Sequence, residues 1–161
     1  MAPSLIYPIT IEQRATSTSD LAKQAAAKGA PSGSGFLAIE QTAGRGRRGR
    51  QWLSQKGGMY LSVVLRPTVK KKYWFALSFA ASLAALDTVR HQLARHFDDK
   101  HMPQTGLKWP NDVFMSGGKI AGILLEAVGS TLVVGSGINI APVQASAHQE
   151  TNHEVSDHQV V

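Results

Sequence analysis

Four arginines interleaved with three glycines, Gly44-Arg45-Gly46-Arg47-Arg48-Gly49-Arg50, are the residues whose type and spacing most plainly suggest chemistry. Arginine stays charged and presents a planar fork that donates two parallel hydrogen bonds to a carboxylate or phosphate. Glycines let the backbone close over what the forks hold. Gly44-x-Gly46-x-x-Gly49 also matches a dinucleotide fingerprint formally, but such a loop must open a helix and meet an acid about 20 residues on. Here Arg50-Gln51-Trp52-Leu53-Ser54 leads to Gly57-Gly58, and no acid occurs before Asp87. No Gly-x-x-x-x-Gly-Lys-Ser/Thr stretch exists either. Two readings stay open: a clamp on a small anionic ligand, or an arginine-rich grip on nucleic-acid phosphate.

Two further constellations lie downstream. Lys108-Trp109-Pro110-Asn111-Asp112 is followed by Gly117-Gly118-Lys119-Ile120-Ala121-Gly122, which places two lysines on otherwise apolar strands. A charge there costs free energy unless it meets a counter-charge or snorkels to water. Gly135-Ser136-Gly137-Ile138-Asn139-Ile140 reads locally as a glycine-bulged strand. His91, His96, His101, His148, His153 and His158 recur every five residues, a spacing that sends helical ligands to divergent faces, so they are read as solvent-facing. No cysteine is present, which excludes thiolate metal sites and cysteine nucleophiles, and no Gly-x-Ser-x-Gly elbow supports serine hydrolysis.

The elements that must carry these groups follow from pattern. Residues 1–15 read as a lead strand. Thr16-Ser17-Thr18-Ser19-Asp20 opens a helix whose first N–H groups the hydroxyls are expected to cap, and Gly29 stops it. Residues 36–41 and 59–65 read as strands, with the arginine loop between them expected to be mobile when empty. Residues 73–97 form the longest helix candidate, with Trp74, Phe75 and Phe79 taken as core. Residues 107–109 read as a short strand and 110–112 as a turn. Residues 120–128 and 132–140 read as a hairpin across Gly129-Ser130. The fold class expected is α/β (α+β), a mixed, largely antiparallel sheet with flanking helices. Apolar periodicity ends at residue 141, and 142–161 are expected to be a disordered tail.

Composition bounds the rest. The chain has 161 residues and a net charge of +6, enough length to bury one core without disulfides. Residues 41–86 hold nine cations (Lys56, Arg66, Lys70, Lys71 and Lys72 join the four arginines) and no acid, so the positive field is local and points to an anionic partner. No apolar run approaches the ~18 residues of a membrane span, and Met1-Ala2-Pro3-Ser4 does not open a secretory signal. A soluble, cytoplasmic protein is expected.

Taken together, the motifs resemble one family, the biotin–protein ligases, which share a catalytic module with lipoate ligases. The matching residues run from Gln41-Thr42-Ala43 through the arginine loop to Trp52, then Lys108–Asp112, Lys119–Leu124 and Gly135–Asn139, with Ser17-Thr18 opening the first helix. The resemblance covers about residues 5–140. It implies a fold like the class II aminoacyl-tRNA synthetase and biotin synthetase catalytic domains, spanning 1–141 and shortened at its C-terminus. It implies ATP-dependent activation of biotin to biotinyl-5'-adenylate, then transfer to a lysine of a biotin carboxyl carrier protein of acetyl-CoA carboxylase.

By resemblance, Arg47 and Lys119 are catalytic, flanking the carboxylate and α-phosphate together with Arg45. Ser17, Thr18 and Gln41 would bind the ureido ring, and Gly44, Gly122 and Gly137 would leave room for biotin. Arg48 and Arg50 would reach the phosphates, Trp52 would cover the adenylate, and Lys108, Asn111 and Asn139 would hold the nucleotide. Asp112 would support the nucleotide or a Mg²⁺ ion. Ser19 departs from the family's usual Asn. The family's further helices and small β-barrel do not match 142–161, and residues 1–20 leave no room for a winged-helix DNA-binding domain. The alternatives are a lipoate or octanoate relative and a non-catalytic arginine-loop nucleic-acid binder.

Overall fold

Alternation along one strand organises the molecule. In Gly58–Leu65, residues Tyr60, Ser62 and Val64 are buried on one face while their neighbours are half-buried on the other. The computed structural model describes residues 7–141. Its strands are β1 (Ile9–Glu12), β2 (Gly35–Ala38), β3 (Gly58–Leu65), β4 (Thr105–Lys108), β5 (Asp112–Met115), β6 (Gly118–Val128) and β7 (Thr131–Asn139). Helix α1 (Thr18–Ala27) lies between β1 and β2, and α2 (Ala76–Leu93) between β3 and β4. One seven-stranded sheet results, in the order β1-β2-β3-β7-β6-β5-β4, and only the β1–β2 pair is parallel. This is the mixed, largely antiparallel sheet with flanking helices that the pattern predicts.

The two helices cover opposite faces. Val133 packs with Val64, Ala22 and Ala26 under α1, while its neighbour Val134 packs with Ile138, Ile123, Val113 and Leu86 under α2. Adjacent strand residues point to opposite sides, so α1 and α2 must be separated by the sheet. Helix α1 ends as predicted. Gly29 takes φ +89°, Gly29 N–H donates to the Ala26 carbonyl at 3.1 Å and Ala30 N–H to the Ala25 carbonyl at 2.9 Å, the paired bonds of a Schellman stop. Arg66 adds bonds to the Ala26 and Ala30 carbonyls at 3.1 and 3.0 Å, so this cation serves the helix end rather than a ligand.

Several expectations are corrected. The helix predicted over 73–97 is α2, Ala76–Leu93, preceded by a 3-10 turn at Lys71–Tyr73. Of the three aromatics taken as core, only Trp74 is buried; Phe75 is 62% exposed, and Phe79 stacks on the exposed Trp109 with ring centroids 4.3 Å apart. The 36–41 strand ends at Ala38, and Gln41 instead bridges Ala15 and Ser54. Strand β4 stops at Lys108, and Trp109–Pro110 is a cis peptide in the turn beyond it. β7 pairs without interruption on both sides, so the bulge read at 135–137 is absent. It lies instead in β6, where the register with β5 shifts and Ile120 is left over between the Val113–Ala121 and Phe114–Lys119 pairs. The tail predicted over 142–161 lies outside the described residues.

Candidate active site

A cavity of about 580 Å³ opens on the α1 side of the sheet. Its uncharged end is the start of α1. Ser17, Thr18 and Ser19 are buried there, and the capping expected of the Ser17 hydroxyl does not occur. Gln41 supplies the acceptor instead: its Oε1 takes the Thr18 N–H at 2.8 Å and the Thr18 hydroxyl at 3.1 Å. Ser62 Oγ stands 2.8 Å from Thr18 Oγ1 and 3.3 Å from Ser19 Oγ, and Gln41 Nε2 donates to Ser54 Oγ at 2.7 Å. The result is a connected set of neutral donors and acceptors, suited to a polar ligand without charge.

The floor is bare backbone. A Cβ added at Gly137 would stand 2.5 Å from Trp52 Nε1, and one at Gly122 would stand 3.0 Å from Trp52 Cζ3 and 3.3 Å from the Lys119 ammonium. These glycines let the indole lie against the sheet, where its buried Nε1 has no hydrogen-bond partner among the described residues. Gly44 serves its own chain: a Cβ there would strike Ser54 Oγ and the Trp52 carbonyl.

Cations form the other end. The Ile120 bulge determines which way Lys119 points. Ile120 packs with Ala121 on the α2 side, so one extra residue turns Lys119 back to the cavity. Its ammonium pairs with Asp112 Oδ1 at 2.7 Å and sits 5.1 Å from the Trp52 ring centroid. Arg47 Nη1 donates to Asn111 Oδ1 at 2.8 Å, and the buried Asn111 donates through Nδ2 to the Ile123 carbonyl at 2.6 Å. Asn111 thereby ties the arginine loop to β6. The loop turns on Arg48 (φ 57°, ψ 35°) and Gly49 (φ +74°), which brings the Gly46 N–H to the Arg50 carbonyl at 2.7 Å.

Arg45 lines the cavity, but both its Nη groups bond the carboxylate of Asp20, at 2.8 and 2.6 Å. That bond, with burial opposing it, holds the Asp20 carboxyl below its ordinary range and raises the Arg45 guanidinium. Burial raises the Tyr60 phenol, whose hydroxyl donates to the Gln55 carbonyl at 2.7 Å.

Ser17, Thr18, Gln41, Arg45, Arg47, Arg48, Arg50, Trp52, Asn111, Asp112, Lys119, Gly122 and Gly137 all border this cavity. Three sequence candidates do not. Gly44 is buried behind it, and exposed Lys108 lies 5.2 Å from the Phe114 ring centroid. Asn139 Oδ1 is buried without a partner among the described residues. Sequence reasoning missed Ser62, although a hydroxyl on the buried face of an apolar strand was a signal. It also missed the exposed Trp109 on the cavity rim, and Asp20 as partner of the loop.

The profile of the biotin/lipoate A/B protein ligase family matches residues 11–141. The chain belongs to this family. It is 41% identical over 134 residues to the biotin–[acetyl-CoA-carboxylase] ligase of Mycobacterium tuberculosis, covering 81% of this chain and 48% of that protein. To the ligase of the same name from Paracoccus denitrificans it is 43% identical over 110 residues, covering 65% of this chain and 43% of that one. Among solved structures, the Leishmania major biotin protein ligase in complex with biotinyl-5-AMP superposes with a TM-score of 0.74 at 31% identity, over 90% of this chain and 62% of that one. The Aquifex aeolicus enzyme in complex with biotin and ATP gives 0.73 at 29%, over 88% and 56%. The chain spans about half the length of the curated relatives it matches. Among the described residues, no helix is long and apolar enough to cross a membrane.

Proposed function

We propose that residues 1–141 form a biotin-activating ligase module that joins biotin to ATP and passes the biotinyl group to a carrier lysine. The observation that carries this reading is one cavity with a neutral hydrogen-bonding end at Thr18 and Gln41 and a cationic end at Arg47 and Lys119. Biotin has that polarity: an uncharged ureido ring at one end and a carboxylate at the other. The neutral end favours biotin over lipoate, whose ring offers no comparable donors.

In the first step a biotin carboxylate oxygen attacks the α-phosphorus of ATP, the bond to the β-phosphate oxygen breaks, and pyrophosphate leaves. Two anions must approach each other, so the barrier falls where fixed cations stand at the meeting point. Arg47 and Lys119 supply them. Asn111 holds the Arg47 fork, Arg48 and Arg50 reach the outer phosphates, and Trp52 with Gly122 and Gly137 bounds the adenylate. Asp112 is the single acid on the cavity wall, and no three-residue acid or histidine cluster exists among the described residues. Asp112 would be the residue to hold a Mg²⁺ ion there, and the ion would supply positive charge against the phosphates. In the second step a lysine ε-amine on a biotin carboxyl carrier protein attacks the anhydride carbonyl, losing a proton as AMP departs. A reaction that consumes ATP fits the cytoplasmic site expected for this chain.

The test is ATP–pyrophosphate exchange with and without biotin, since it reports the first step without a carrier. Exchange that depends on biotin and ignores lipoate and octanoate is expected. Its absence, with salt-sensitive RNA binding in its place, would favour the nucleic-acid reading.

A further inference from the structure

Arg45 does not behave like the other arginines of its loop. Its guanidinium meets Asp20 of α1 in a two-pronged contact, and Arg45 Nη2 also lies 3.7 Å from Glu126 Oε2 of β6. Lys23 completes a ring, 3.4 Å from Asp20 Oδ1 and 2.7 Å from Glu126 Oε1. Two acids and two bases alternate, so the group is charge-neutral. It joins the first turn of α1, the base of the loop and β6. Beyond Arg45 the compensation stops: among the described residues Arg48 and Arg50 meet no acid, and Arg47 bonds only the neutral Asn111 amide.

Backbone bonds extend this contrast. Arg45 faces Gln51 in an isolated bridge, and the Trp52 N–H donates to the Gly44 carbonyl at 2.9 Å. Holding Arg45 therefore holds both limbs of the loop's neck. The tip, with its unbalanced cations, is left to answer an anion.

We propose that Asp20 is a positioning residue for the arginine loop: by engaging Arg45 it fixes the neck as a pivot and holds this guanidinium against the cavity wall, so that the tip closes on the adenylate in one orientation. The role rests on the ligase reading given above. A freed Arg45 would compete with Arg47 for the anion, and a loose neck would let the tip close in several orientations. The intermediate would then escape to water more often, where it is lost.

The experiment has two arms on the whole chain. The first needs no substrate: amide exchange at Gly46 and Trp52 in the free protein. Asp20→Asn should accelerate these two amides, leave the β6–β7 hairpin amides unchanged, and Asp20→Glu should restore the parent rate. The second arm measures how much biotinyl-adenylate formed from biotin and ATP is released to solution. Asp20→Asn should raise the released fraction about tenfold, with a smaller effect on the rate of formation, and should add nothing to Arg45→Gln in the double variant. Unchanged exchange at Gly46 and Trp52 overturns the proposal, as does acceleration spread over the hairpin or a released fraction equal to the parent's. If the parent makes no adenylate, the ligase reading falls, and the exchange arm alone then decides whether Asp20 holds the loop.

Discussion

On β7, Val134 and Ile138 turn toward α2 and pack against apolar side chains, whereas Gly135 and Gly137 turn toward α1 and the cavity. The same division holds on β6, where Ala121 and Ile123 face α2 while Gly122 and Glu126 face the other side. One strand pair thus builds a filled face and an emptied face. On the filled face the side chains are the structure. On the emptied face Val133 still packs under α1, but around the cavity side chains are removed or made polar, and serines, glycines and ion pairs keep a space open at the expense of packing. Substitutions on the two faces should therefore fail in different ways.

Lys119→Ala on the emptied face should have the largest effect. Losing a cation aimed at charge that develops in the transition state typically costs about 10²–10³ in rate. Pyrophosphate exchange should fall by that order while the melting temperature stays within a degree or two. Near-normal exchange would mean that the Lys119–Asp112 pair is structural and the contrast wrong at its centre.

Gly137→Ala sharpens the same contrast without touching a charge. Its new methyl would stand 2.5 Å from Trp52 Nε1, so the indole must move. Overpacking costs about 1–3 kcal/mol, which predicts roughly tenfold weaker biotin binding and a shift in tryptophan emission. Calorimetry alongside fluorescence checks both.

Ile138→Val on the filled face should do the reverse. Ile138 is 6% exposed, and trimming one methyl there should remove about 1 kcal/mol and lower the melting temperature by a few degrees. The biotin dependence of exchange should not change. If it does, the faces are coupled through β7.

The smallest effect concerns acid. The Asp20 carboxyl is lowered from its ordinary value of 3.8, so its pairing contributes stability above that value and loses it as pH falls through the lowered one. The pair is about one-third exposed, which limits the contribution to under ~1 kcal/mol. The parent should thus exceed Asp20→Asn slightly in urea midpoint near neutrality, and the gap should close on acidification below pH 4.

How much of this was legible in the sequence differs between the faces. The Gly129-Ser130 hairpin and the Gly29 stop could be read because their turn chemistry is local. The elements of the filled face were recognised but not their ends: Lys71–Tyr73 turns before α2 begins, and Phe75 points to solvent. A stripe of apolar residues shows that a helix can be amphipathic, not which of them meet the sheet. On the emptied face, Arg47, Lys119 and the glycines stood out by type. Asp20 did not, since an acid in a first helical turn reads as a partner of the helix dipole. Its actual partner lies 25 residues away, and only the fold brings them together.

The extra residue in β6 carries a consequence for how this chain tolerates change in length. Before Lys119, the turn at Ser116-Gly117 can gain or lose residues and still deliver the same ammonium. Between Lys119 and Gly122 parity counts: inserting one more residue, or pairing Ile120 into the ladder, would send the lysine into the apolar layer beneath α2. Either change keeps every motif residue in the chain, yet the anion would meet no ammonium. Among related sequences, one-residue insertions should therefore be accepted before this lysine and be missing between it and Gly122.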